Sequence, residues 1–276
     1  MVILNVRSGP LVVMNDYHSN FSPASYLETR YKDPEKGALH SFSLQCLHSF
    51  FSEAKAKSEV ANAGSHGYKV LDYGCGPAVA KVISAAAVAT EVVFAEYTEK
   101  NRSAVQRWLD KDSSAWNWSP YFKHIVVTLE GQSEHEAVER EKYLRSITRA
   151  VVPCDVTQDP PIVIGFEGPY DVVISSLSIE AGCPTLEDYK IAVRRVSNLL
   201  KSGGSLLLYS VIRNDTSKPG SYRVGSECFT EIPLTLEFIH ATLKEAALEV
   251  VTTKYLALSD HHEFGDGAAF IVAKKN

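Results

Sequence analysis

No stretch of this chain reaches about 18 apolar residues without a break, the run that a membrane-spanning helix needs. The N-terminal apolar segments, Val2 to Val6 and Leu11 to Met14, are interrupted by Arg7 and Pro10, and no small-residue cleavage site follows. Neither a signal peptide nor a transmembrane span is expected. Cysteine is sparse: five residues, at positions 46, 75, 154, 183 and 228, lie far apart, with no Cys-x-x-Cys pair and no histidine spacing suited to zinc. They read as reduced thiols of a cytoplasmic protein, and no metal site is expected. Positive charge is not in excess either. Lys and Arg number 28 against 33 Asp and Glu, a formal net charge of −5, and no basic run interleaves with aromatics. A nucleic-acid partner would need such a footprint, so none is expected.

What is present is enough apolar residue, 45% of 276, to bury one sizeable core. A single domain over residues 1–276 is expected, with 15–60 as a helical cap and 68–276 as an α/β core. The core is organised around Tyr68 to Pro77, YKVLDYGCGP, where a short apolar strand runs into a glycine-rich turn. Gly74 and Gly76 remove Cβ atoms where a backbone must bend and a ligand must approach. The residues that follow, Ala78 to Val88, are alanine-rich and helix-competent. Strand, turn and helix form the first unit of a nucleotide-binding sheet, with the ligand over the strand's carboxyl end. A purely structural tight turn is the alternative. Glu96, just past a second strand at Glu91 to Phe94, favours the ligand, because it lies at about the 20-residue spacing at which a carboxylate grips an adenosine ribose.

A third glycine is lacking. Pro77, Ala78 and Val79 stand where a dinucleotide fingerprint needs close helix packing and an open helix start for a pyrophosphate. This disfavours an NAD-dependent oxidoreductase and favours S-adenosylmethionine (SAM), which carries an adenosine but no phosphate. Asp72 suits the end of the pocket that holds a cation, directly or through water.

Further elements follow from periodicity. The aromatic segment from Asn15 to Tyr31 reads as a helix, although Tyr26 and Tyr31 do not share one stripe. Helices are expected over Pro34 to Ala56, Asn101 to Asp110, Glu134 to Ala150, Leu186 to Lys201 and Pro233 to Leu248. Residues around Trp116, Trp118 and Pro120 read as irregular. Strands are expected at Val151 to Val156, ending in Asp155, at Tyr170 to Ser176 and at Ser205 to Ile212; Arg213 to Ser226 reads as a polar loop. Two last strands, Val250 to Leu258 and Ala268 to Lys274, are too closely joined for a parallel crossover and so must be antiparallel.

Together these residues resemble a known family, the nicotinamide, phenylethanolamine and indolethylamine N-methyltransferases. The resemblance spans nearly the whole chain: Tyr17, FSPASYLETRY from Phe21, LDYGCGP, EYTEKNR from Glu96, NWSP from Asn117, LEG from Leu129, CDVT from Cys154, SSLSIEAGCP from Ser175 and LLKSGG from Leu199. It implies a Rossmann-like SAM-dependent methyltransferase fold, a mostly parallel seven-stranded sheet with an antiparallel C-terminal strand and an N-terminal helical lid, in a monomer. It also implies cofactor contacts at Tyr17, Tyr26, Tyr31, Gly74, Glu96, Tyr97, Asn101, Asp155, Val156 and Ser176. The product would be S-adenosylhomocysteine (SAH). A strand-end cap is the alternative for Asp155.

The resemblance further implies a substrate end built from Tyr26, Glu180, Ser210 and Glu231, with Glu180 and Glu231 as catalytic candidates. The chain departs from the family at Ala78 and Ala80, where hydroxyl-bearing Thr and Tyr are usual. Ser210 stands where the nicotinamide enzymes carry Asp, and Glu231 where they carry Ser. An aromatic amine of the arylalkylamine type is therefore expected as substrate, since a carboxylate can attract an ammonium and take its proton. A pyridine such as nicotinamide is the alternative, and a SAM-binding regulatory module without turnover is the alternative of another class. Asp215, Glu263, His261 and His262 lie in loops that sequence alone does not place.

Overall fold

The computed structural model describes residues 16–60, 67–258 and 265–276. The N-terminal apolar segments, Asn15, His261, His262 and Glu263 lie outside the described residues. Seven strands form one sheet: β1 (Tyr68–Tyr73), β2 (Ala89–Glu96), β3 (Thr148–Pro153), β4 (Tyr170–Ser176), β5 (Leu200–Ile212), β8 (Leu248–Ala257) and β9 (Gly267–Lys275). Their order is β3-β2-β1-β4-β5-β9-β8. Neighbours from β3 to β5 pair in parallel, while β9 runs antiparallel to both β5 and β8. This is the mostly parallel sheet with an antiparallel C-terminal strand that the sequence led us to expect, and the last strand lies inside the sheet, not at its edge.

The parallel strands are rich in Val, Ile and Leu because both of their faces are covered. Val70, Phe94 and Ile174 point to one face, against Leu44, Leu47 and Phe51 of α3 (Ala38–Val60), Val105 and Trp108 of α4 (Glu99–Leu109) and Leu144 of α6 (Glu134–Ile147). Leu71, Val93 and Val173 point to the other, against Tyr189 and Val193 of α7 (Leu186–Asn198) and Ile239 and Leu243 of α8 (Leu236–Glu245). Two short helices, α1 (Tyr17–Asn20) and α2 (Pro23–Arg30), precede α3. Among the described residues, no helix is long and apolar enough to cross a membrane.

Four differences from the sequence expectations have physical causes. Ala78 to Val88 is not an α-helix but two 3-10 turns, Ala80–Val82 and Ala85–Ala87. Nearly every side chain in it is buried, so no polar face exists and packing overrides alanine's helix propensity. The expected loop at Arg213 to Ser226 contains half of a hairpin, β6 (Gly220–Val224) and β7 (Glu227–Glu231), turning at Gly225 with φ +61°. Residues Ser119–Lys123 form a helix (α5) that continues as a π-helical turn over His124–Leu129, with Trp118, Tyr121 and Phe122 fully buried. Finally, β3 ends at Pro153 because the chain then pairs with the segment at 161–163, Asp155 N donating to Pro161 O at 2.9 Å, so Asp155 lies beyond the strand.

Candidate active site

The strand order reverses between β1 and β4, and the crevice at the carboxyl ends of such strands is where α/β sheets receive ligands. A cavity of about 410 Å³ opens there. Of the expected cofactor residues, Glu96 and Ser176 line it from strand ends, Gly74, Tyr97, Asp155 and Val156 from the turns that follow β1, β2 and β3, Asn101 from α4, and Tyr17, Tyr26 and Tyr31 from the N-terminal helical segment.

Glu96 is 6% exposed and holds four hydrogen bonds. Its Oε1 accepts from Thr98 N (2.9 Å), Thr98 Oγ1 (3.1 Å) and Asn101 Nδ2 (3.0 Å), while Oε2 accepts only from Gly76 N (2.9 Å). One lone pair of Oε2 is therefore left for a ligand hydroxyl. The two glycines have different reasons. A Cβ on Gly74 would stand 2.3 Å from that of Ser178, whereas one on Gly76 would meet nothing within 4 Å. Gly74 thus lets the β4 turn close on the β1 turn, while Gly76, at φ +63°, supplies the backbone bend that points its N–H at Glu96.

Beneath the turn lies a charge pair. Asp72 is fully buried, and burial foremost pushes it up to about 6 against the pull of the Lys81 ammonium. Lys81 Nζ donates to Cys75 O at 2.8 Å and stands 3.7 Å from Asp72 Oδ1. His40, also on the cavity wall, is driven down to about 4 by burial and then by the Lys81 charge, so its imidazole is neutral at pH 7. Asp155 Oδ1 accepts from both Thr157 N (2.8 Å) and Thr157 Oγ1 (2.7 Å), a local cap, which leaves Oδ2 for a ligand.

Rings roof the cavity. Tyr26 packs on Phe21 and Tyr31 at centroid distances of 5.2 and 5.8 Å, and Tyr31 packs on Trp118 at 5.4 Å. The hairpin closes the other side, with Phe229 stacked on Tyr17 at 5.0 Å and a 2.8 Å hydrogen bond between the Tyr17 and Tyr222 hydroxyls.

At the end expected to take substrate, Glu231 lines the cavity and is 6% exposed, with Arg213 Nη2 at 3.6 Å from Oε1. Gly220 stands opposite it in the hairpin, and a Cβ there would press on the Arg213 Nε at 2.5 Å and the Glu231 Cγ at 2.8 Å. Glu180 and Ser210 are placed differently. Neither lines the cavity; Tyr209 and Val211 face it and Ser210, between them, points away. The Glu180 carboxylate is 2% exposed, with no donor in hydrogen-bonding position. Burial, and then the charge of Glu231, push it up to about 8, so at pH 7 it carries its proton and not the negative charge that its position in the sequence implied.

The two cavity residues Lys81 and His40 were not singled out in the sequence. Lys81 left a signal, a lone cation in the apolar run PAVAKVISAAA. His40 left none among the helical residues of α3. Leu177, where the chain leaves the fourth strand at the end expected to meet a ligand, lines the cavity at φ +53°, a left-handed conformation that costs a leucine roughly 1–2 kcal/mol.

A family model, that of the NNMT/PNMT/TEMT family, matches residues 9–276. Human nicotinamide N-methyltransferase is 33% identical over 264 residues, covering 94% of each chain. Mouse indolethylamine N-methyltransferase is 31% identical over 266 residues, covering 94% of this chain and 95% of the relative. Among solved structures, the SAM-bound magnesium protoporphyrin IX methyltransferase from Synechocystis PCC 6803 superposes with a TM-score of 0.54 at 14% identity, covering 95% of this chain and 94% of that one. That likeness is one of fold.

Proposed function

The chain belongs to the NNMT/PNMT/TEMT family, and from that premise we propose that it is a SAM-dependent N-methyltransferase whose acceptor is the nitrogen of a small aromatic amine of the arylalkylamine type. The cavity residues fit this cofactor. Glu96 Oε2 keeps an acceptor position, Asn101 Oδ1 is buried without a partner, and the Gly76 side of the turn is open. Glu96 would hold the ribose, and Asp155 Oδ2 and Val156 would flank the adenine. When bound, SAM supplies a sulfonium methyl group as the electrophile.

The protein has to hold a neutral nitrogen in line with that methyl group, and such alignment can contribute up to roughly 7–11 kcal/mol. Tyr26, Phe21 and Tyr222 supply apolar walls that exclude water. An alkylamine arrives protonated and must lose its proton before it reacts, whereas a pyridine arrives neutral. The amine is carried by one observation: Glu231 places a buried carboxylate on the cavity wall, where an ammonium would be attracted and its proton accepted directly or through water.

The test is a set of steady-state profiles with labelled SAM on tryptamine, phenylethanolamine, quinoline and nicotinamide. The amines should have the higher kcat/KM, and Glu231→Gln should depress amine turnover by at least about tenfold while changing nicotinamide turnover little. A parent that methylates nicotinamide and ignores amines overturns the substrate class. One that binds SAH but methylates nothing overturns the enzyme.

A second expectation concerns the roof. Residues 16–31 pack on the hairpin and on Trp118 and Tyr121 largely through rings that surround the cavity, so cofactor binding should order them as a lid. Limited proteolysis within this segment should slow severalfold with SAH present. Equal cleavage with and without SAH would count against a lid.

A further inference from the structure

Of the described lysines, only Lys81 is buried. An ammonium has three donors, and here the Cys75 carbonyl takes one at 2.8 Å. At 3.7 Å the Asp72 carboxylate is an ion-pair partner but too distant for a direct hydrogen bond, and both Asp72 oxygens lack a partner. Burial works against the Lys81 charge, yet Asp72 together with Cys75, Tyr26 and Glu96 holds the ammonium above its ordinary pKa. The fold thus maintains an open charge pair at the wall of a cavity. Such a pair is expensive unless each charge completes its hydrogen bonds.

The position is as telling as the charge. The carbonyl that Lys81 holds belongs to Cys75, and the N–H that Glu96 holds belongs to Gly76. These are the two ends of one peptide unit, whose C=O and N–H point in opposite directions. The ribose acceptor and the ammonium therefore flank the same peptide, less than about 9 Å apart. A ribose hydroxyl and a carboxylate joined through a sulfur and a short carbon chain span such a gap.

On the reading of this cavity as a SAM site, we propose that Lys81 binds the α-carboxylate of the cofactor's amino-acid end. Ala78 and Ala80 carry no polar side-chain atom and do not line the cavity, whereas Lys81, the residue that follows Ala80, does.

Titration calorimetry with two ligands tests this. SAH carries the α-carboxylate, and 5′-deoxy-5′-methylthioadenosine keeps the adenosine and thioether but lacks it. Lys81→Met should weaken SAH binding roughly ten- to a hundredfold, the value of a buried charge-assisted hydrogen bond. Methylthioadenosine affinity should stay within about twofold. Because Lys81→Met leaves Asp72 buried without its partner, the Asp72→Asn/Lys81→Met double variant, which carries neither charge, is measured beside it and should show the same divergence. Equal losses for both ligands in the folded variants, or no loss for SAH, would overturn the role of Lys81 while leaving the SAM site standing. A parent that binds neither ligand overturns the SAM site itself, and the Lys81 anchor with it.

Discussion

Replacing Glu96 by Ala is expected to abolish calorimetric binding of SAH and to destabilise the protein at the same time. The carboxylate accepts four donors, from Gly76, Thr98 and Asn101, and its removal leaves them buried together with an Asn101 Oδ1 that already has no partner. Each buried donor left unsatisfied costs about 1–3 kcal/mol, so a loss of several kcal/mol should appear in urea denaturation. Binding suffers twice, because the ribose acceptor is gone and the Gly76 turn loses its tether. Glu96→Gln separates the two losses. It preserves shape but turns part of the acceptor into a donor, and should retain the fold while weakening SAH by at least about tenfold. Unchanged SAH affinity in Glu96→Gln would remove Glu96 from the cofactor site.

The strand and turn at Tyr68 to Gly76 and the second strand up to Glu96 were legible because their signals are local: short apolar runs, two glycines where the chain turns, and a carboxylate at the end of the second strand. Local signals failed where burial decides. Ala78 to Val88 has high helix propensity, but a segment buried on all sides is shaped by its neighbours. The hairpin at Gly220–Glu231 was within reach, since Gly225-Ser226 separates two short runs with alternating apolar residues. Ser210 was not. In SLLLYSVI both faces are apolar, so the period of two does not say which residues meet the ligand, and a shift of one residue exchanges Tyr209 and Val211 for Ser210. Glu180 exposes a further limit: its position in the chain marks a carboxylate near the substrate end, while its charge depends on burial that only the packed structure defines.

That charge gives the other large effect. Glu180 has an ordinary value near 4.5 and a folded value of about 8, raised first by burial and then by Glu231. A carboxyl whose folded pKa is raised contributes stability that is fully present below about 4.5 and is lost as pH rises through about 8. The cause is the cost of ionising a group that has no donor in hydrogen-bonding position. Glu231, also raised by burial, adds a contribution of the same sign. Glu180→Gln keeps the shape and stays neutral throughout, so its stability should match that of the parent below about pH 4.5, exceed it increasingly as pH rises to about 8, and hold that difference above. A shift of this size corresponds to a difference on the order of 5 kcal/mol, reduced where Arg213 and relaxation of the wall offset the buried charge. Urea denaturation of both proteins between pH 5 and 9 reads it directly. Because Glu180 lies behind the wall that Glu231 forms, amine turnover should fall less in Glu180→Gln than in Glu231→Gln. A parent and a Glu180→Gln variant whose stabilities run parallel from pH 5 to 9 would mean that Glu180 ionises without cost, and that water or a cation reaches it in solution.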